Sequence, residues 1–295
     1  MPPPEPAPVR PDPRNKVPAV TAAFWAIKIC ATTVGETAAD LLSTRLGLGA
    51  AGTGAVMAGL LALLLAAQMR AWRYVPWLYW ATVVLVSIAG TLLTDFLTDG
   101  LSVSLAYTTA GFTLTLAGIF ILWHRSERTL SIHTIVTTRR EAFYWAAILA
   151  TFALGTATGD LMAERLQLGY ALSAVVFLVL LAGTGVAWFT FAANPVATFW
   201  IAYVLTRPFG AACGDWLAQP ADAGGLALGP VTTSAGLLGV IVLLVSLATV
   251  ARLRRAGNIG QAYAAVPAGP TASPAASGPA AGTVPPPNRR KESGS

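Results

Sequence analysis

Residues 25–40 read WAIKICATTVGETAAD, and the same skeleton returns three more times. It recurs as WATVVLVSIAGTLLTD at 80–95, WAAILATFALGTATGD at 145–160 and WIAYVLTRPFGAACGD at 200–215. In each copy a tryptophan is followed ten residues on by a glycine and five further on by an aspartate. Gly35, Gly90, Gly155 and Gly210 stand 55, 65 and 55 residues apart, so the chain reads as a pair of pairs. A fixed period of this length marks a repeat architecture. The aspartates, Asp40, Asp95, Asp160 and Asp215, sit in stretches otherwise almost free of charge. Ionisable groups are costly inside a membrane, so acids at one repeated position are functional candidates.

The surrounding composition makes the membrane reading firm. The 295 residues are 55% hydrophobic and 11% charged, with mean hydropathy +0.63. A soluble domain carries about 25% charged residues. A spanning helix needs roughly 20 apolar residues, and eight such runs are present, at about 21–44, 50–69, 76–98, 102–123, 141–164, 170–191, 197–218 and 231–251. The predicted fold is all-α, a polytopic membrane protein with eight transmembrane helices arranged as four tandem two-helix repeats. The membrane domain covers 18–251, with repeats at about 18–70, 74–124, 138–192 and 195–251. The Pro-rich stretch 1–17 and the Ala/Pro/Gly-rich stretch 256–295 lack the apolar residues to bury a core and are predicted disordered. The first run is long for a signal core and carries Lys28, Glu36 and Asp40, so it reads as a retained helix. Cys30 and Cys213 lie within spans and read as packing residues, not a disulfide framework.

With eight spans in alternation, fifteen of the nineteen Lys and Arg fall on one side of the membrane, and Arg45 and Arg165 on the other. Lys28 and Arg207 fall within spans. The positive-inside rule then places both termini in the cytoplasm. The net charge of +6 reflects loop placement and predicts no nucleic-acid partner.

Fifteen residues of helix rise about 22 Å. The tryptophans are therefore expected near the cytoplasmic interface, ring in apolar contact and N–H wet. The aspartates share one depth near the outer edge of the hydrocarbon. Each glycine has a small residue four positions on, Ala39, Thr94, Gly159 and Gly214. This spacing lets helix backbones approach closely in lipid. Three repeats add a second acid one turn away, in the pairs Glu36 with Asp40, Asp95 with Asp99 and Asp160 with Glu164. Like charges on one helix face repel unless protons or a cation neutralise them.

Arg45 and Arg165 follow Asp40 and Asp160 by five residues and offer ion pairs, whereas Gly100 and Pro220 occupy the matching places after Asp95 and Asp215. Arginine pairing therefore accounts for half of the pattern. Pro208 predicts a kink in span seven and a free carbonyl near Val204. His124 and His133 lie outside the spans, which speaks against a His-rich zinc site. A ring of carboxylates suits a hard divalent cation, Mg²⁺, Ca²⁺ or Mn²⁺. Thr32, Thr33, Thr91, Thr94, Thr156 and Thr158 add neutral oxygens. The predicted cation ligands are Asp40, Asp95, Asp160 and Asp215, with Glu36, Asp99 and Glu164 contributing, and no resident cofactor is expected.

TTVGETAADLLSTRLGLG at 32–49, ERTLSIHTIVTTRREAFYWAAIL at 127–149 and RPFGAACGDWL at 207–217 carry a resemblance. The chain resembles bacterial integral membrane proteins built from four tandem copies of a two-helix repeat of unknown function, over about residues 17–251. The resemblance implies a bacterial inner-membrane protein and manganese export, and it assigns no ligands. With no phosphate loop in the sequence, the expected function is a secondary transporter exporting a divalent cation, Mn²⁺ foremost. A cation binding to deprotonated carboxylates releases protons, so proton exchange is the natural coupling. The alternatives are an exporter of another small or organic cation and a non-transporting membrane scaffold. No nucleophile–base pair points to an enzyme. The expected partners are membrane lipid and the transported cation, with the oligomeric state open.

Overall fold

Local signals start the helices where the apolar runs begin. Thr21 caps the first, its hydroxyl accepting from the Phe24 N–H at 3.3 Å. Pro76 and Pro195 occupy first-turn positions, and Asn194 accepts from Val196 N–H and Ala197 N–H at 2.9 and 3.2 Å. The computed structural model describes residues 14–264. The helices are α1 (Ala22–Arg45), α2 (Gly49–Arg70), α3 (Pro76–Asp95), α4 (Leu105–Glu127), α5 (Thr138–Asp160), α6 (Tyr170–Phe191), α7 (Pro195–Ala218) and α8 (Pro230–Ala264). There is no strand among the described residues. Seven helices are long and apolar enough to cross a membrane, which makes this a multi-pass membrane protein. The remaining one is α1, which carries Lys28, Glu36 and Asp40. Lys28 and Glu36 are buried inside the protein, so the helix hides these charges from its surroundings.

The odd helices form a closed ring, α1 on α3, α3 on α5, α5 on α7 and α7 on α1. The repeated glycines make the four seams. A Cβ on Gly35 would strike Ser87 of α3, and one on Gly90 would lie 2.8 Å from Phe152 Cβ of α5. One on Gly155 would lie 2.6 Å from Arg207 Cβ of α7, and one on Gly210 would strike Thr32 of α1. Each seam joins a glycine to the residue three positions before the next repeat's glycine, so the ring has approximate fourfold symmetry. Tyr79 meets Tyr144 and, twelve residues later on both helices, Thr91 meets Thr156, which shows that α3 and α5 run parallel.

The even helices lie outside this ring. Each packs chiefly on the odd helix that follows it, α2 on α3, α4 on α5 and α6 on α7. Thr37 and Ser234 hydroxyls meet at 2.7 Å and bring α8 to α1, completing the circle. Leu63, Leu114, Val179 and Leu243 on the even helices are all exposed, an apolar outer surface of the kind lipid covers.

Two local expectations are corrected. Trp80, Trp145 and Trp200 are buried within the protein, not exposed with a wet N–H. They belong to an aromatic cluster with Phe24, Tyr79, Tyr144, Phe199 and Tyr203, and Trp200 Nε1 donates to the Leu130 carbonyl at 2.9 Å. Tryptophans at one level of a closed ring have the Phe and Tyr rings of the neighbouring odd helices to pack against, which a single helix does not reveal.

The stretch 1–17 also meets the protein where it is described. Lys16 Nζ pairs with Glu141 Oε2 at 2.6 Å and donates to the Met69 carbonyl at 2.9 Å, and Val17 is buried. A buried carboxylate at the start of α5 requires a cation, and average composition does not show that. At the other end α8 continues to Ala264, into the stretch read as a tail from 256. Residues 1–13 and 265–295 lie outside the described residues, and so does the rest of the disorder expectation.

Helix α7 runs on through Pro208, which packs on Gly155 and Gly159. The irregular turns lie elsewhere, as π-helical segments Phe96–Gly100 and Leu161–Arg165 directly after Asp95 and Asp160.

Candidate functional site

In a helix, residues four apart lie one above another, and on the odd helices this rule stacks the chemistry in layers along the ring. Phe24, Tyr79, Tyr144 and Phe199 form a floor. Four residues on come Lys28, Val83, Ile148 and Tyr203, then Thr32, Ser87, Phe152 and Arg207. Next are Glu36, Thr91, Thr156 and Ala211, and beyond them the four aspartates. All members of the three middle layers are buried, whereas Asp40, Asp95 and Asp160 are part-exposed. The column is therefore sealed by aromatic rings at one end and accessible through acids at the other.

Arg207 holds the centre. Its Nη1 donates to Glu36 Oε2 at 2.9 Å and to the Thr32 carbonyl at 3.4 Å. Its Nη2 donates to the Thr91 hydroxyl and, at 2.7 Å, to the Thr156 hydroxyl. The guanidinium thus joins all four odd helices by their ring-facing side. Gly214 makes room for this arrangement, since a Cβ there would lie 3.1 Å from Glu36 Cβ. Lys28, one layer below Arg207, is fully buried with no hydrogen-bond partner among the described residues. Its ammonium lies 4.0 Å from the Tyr203 ring centroid and 5.2 Å from that of Phe152.

The predicted cation ligands are placed unequally. Carboxylate oxygens of Glu36, Asp160 and Asp215 all lie within 4.8 Å of one another, close enough to share one metal ion. Asp40 lines a surface cavity of about 520 Å³ with Ser43, Thr44, Gln219 and Pro220, where α1 and α7 end. Asp95 is part-exposed in the same layer and lies outside the three-oxygen group. Asp99 and Glu164 are exposed at the rim, and Tyr170 donates to Glu164 Oε1 at 3.5 Å. The π-helical turns explain their position. Bonding from i to i+5 widens the turn, so four residues no longer complete one, and these two acids leave the face of Asp95 and Asp160.

The suggested pairs of Asp40 with Arg45 and Asp160 with Arg165 do not form among the described residues. The repeated acids are therefore not held as hairpin salt bridges. Sequence reasoning placed Arg207 and Lys28 within spans and assigned them no role. Stepping by four from each aspartate would have found both, through 28, 32, 36 and 40 on α1 and 207, 211 and 215 on α7.

The sequence matches the family described as Repeat of Unknown Function (DUF347) four times, at residues 23–74, 78–129, 143–194 and 198–254. The chain belongs to that family. No curated protein and no solved structure matches it. Each DUF347 match opens on an odd helix; the first three close after the following even one and the fourth ends within α8. The packing cuts the chain differently, because the even helix of one DUF347 repeat lies on the odd helix of the next. No repeat buries its own faces alone, and the ring of four is the smallest closed unit. The candidate site is equally a property of the ring, since Glu36, Asp160 and Asp215 come from repeats one, three and four.

Proposed function

We propose that this protein is a secondary transporter that exports a divalent cation across the bacterial inner membrane, with Mn²⁺ the first candidate. One observation carries the reading. Carboxylates of Glu36, Asp160 and Asp215 converge inside a ring of parallel helices, at the inner side of an acid mouth and away from an aromatic seal. Oxygen ligands of this kind suit Mg²⁺, Ca²⁺ and Mn²⁺, and Thr91 and Thr156 supply neutral oxygens beside them. A site reached from one end and closed at the other is what alternating access requires of a carrier.

Both termini are assigned to the cytoplasm from the loop charges, so the aromatic seal faces the cytoplasm and the acid mouth faces outward. Export then requires the aromatic layer to part and the acid layer to close. The cation displaces protons from the carboxylates as it binds, which gives exchange against the proton gradient. Asp40 and Asp95 share the outer layer with Asp160 and Asp215 and serve as auxiliary ligands.

The test is cation uptake into inverted membrane vesicles carrying the protein. Mn²⁺ should accumulate on imposing a proton gradient, faster than in vesicles without it, and Mg²⁺, Ca²⁺ and an organic cation are run beside it. Uptake of the organic cation alone would replace the substrate class. No uptake of any of them would make the protein a membrane scaffold.

A further inference from the structure

We infer that Arg207 is a tethered cation that competes with the transported one for Glu36, an inference that rests on the transport reading above. The position three before the glycine is held by Thr32, Ser87, Phe152 and Arg207, so at this position only the fourth repeat carries a charge. The guanidinium takes a carboxylate, two hydroxyls and a backbone carbonyl. These are the hard oxygen donors that a divalent ion also takes. Glu36 is the point of conflict, because it is both the partner of Arg207 and one of the three converging carboxylates.

Two like charges sharing one carboxylate in a poorly hydrated space repel strongly. A cation held by Glu36, Asp160 and Asp215 therefore loosens Arg207, and Arg207 returning to Glu36 loosens the cation. The guanidinium has a second contact besides its oxygen partners, since the Phe152 ring centroid lies 5.5 Å from its Cζ, and its buried Nε has no partner among the described residues. The return has a purpose in the cycle. A buried acid stripped of its partner is strongly destabilising. With Arg207 on Glu36, the emptied carrier can reorient without such an acid at its centre.

The experiment measures Mn²⁺ affinity of the purified full-length protein in lipid nanodiscs, from the free Mn²⁺ signal in electron paramagnetic resonance. Four proteins are compared: wild type, Arg207→Gln, Glu36→Gln and the double variant. Arg207→Gln is expected to bind at least tenfold more tightly than wild type, and Glu36→Gln more weakly. In the Glu36→Gln background, Arg207→Gln should bring no gain, since nothing is left to compete for. An unchanged affinity in Arg207→Gln overturns the inference. So does a tenfold gain that persists without Glu36, because that would be repulsion at a distance. Wild type that binds no Mn²⁺ removes the manganese reading as well, whereas wild type that binds Mn²⁺ without any Arg207 dependence removes only this inference. Should the variants fail to fold, isotope-labelled arginine in wild type answers the same question by infrared difference spectroscopy. Mn²⁺ should shift the guanidinium bands, and unshifted bands overturn the inference.

Discussion

Arg207 and Glu36 are 171 residues apart in the chain and 2.9 Å apart in the protein. Their pairing closes the seam between α7 and α1, the one seam of the ring that joins the last repeat to the first. Thr32 Oγ1 donates to the Thr206 carbonyl across the same seam at 3.4 Å, and Lys28 reaches the Tyr203 ring there. Charged contacts thus gather at a single seam of an otherwise symmetric ring, and the sites of action follow from that.

Neutralising the converging acids should stop transport. Asp160→Asn, Asp215→Asn and Glu36→Gln each keep their shape and lose a charge within the three-carboxylate group. Mn²⁺ export by cells expressing them should fall at least tenfold, with less loss for Asp40→Asn and Asp95→Asn and least for the rim variants Asp99→Asn and Glu164→Gln. Arginine spacing alone ranks Asp95 and Asp215 first, and the geometry moves that weight to Asp160. Export that survives both Asp160→Asn and Asp215→Asn would remove the site.

The ring glycines should tolerate no bulk. Gly155→Leu drives a side chain into Arg207 and Pro208, and Gly210→Leu into Thr32 and the Thr33 backbone. Overpacking costs about 1–3 kcal/mol, so both variants should show lower folded yield and lower Tm after detergent extraction. Gly111→Leu and Gly183→Leu meet open space on the outer helices and should match wild type. Equal stability across all four would contradict the glycine seams.

Lys16 should act as an anchor for the segment before α1. Removing one partner of a buried ion pair costs about 3–5 kcal/mol, and Glu141 is almost wholly buried. Lys16→Met should therefore lower Tm by several degrees, and Lys16→Met with Glu141→Leu should recover part of the loss. A Tm unchanged in Lys16→Met would place this contact at the level of an ordinary surface pair.

Topology is open to a direct check. A reporter enzyme that works only outside the cytoplasmic membrane, fused after residue 255, should be silent if both termini are cytoplasmic, and a fusion in the connection between α7 and α8 should be active. The reverse pattern would turn the acid mouth toward the cytoplasm and reverse the direction of transport.

The sequence by itself determined the eight helices, the fourfold repeat and the glycine seams, because these depend on short periods. Apolar length makes a span, and a small residue every fourth position makes a face on which another backbone can rest. It also singled out the acids, since charge within an apolar run is conspicuous whatever surrounds it. What it left undecided was which faces meet. Glu36 read as a companion of Asp40, and Arg207 as a charge with no assigned partner, because their contact crosses 171 residues and depends on how the ring closes. The displacement of Asp99 and Glu164 from the aspartate face depends on two π-helical turns, for which the residues carry no strong local preference. Tertiary structure decided those points. Side chains from four helices share one enclosed space there, and electrostatic pairing in it depends on distances that no single helix sets.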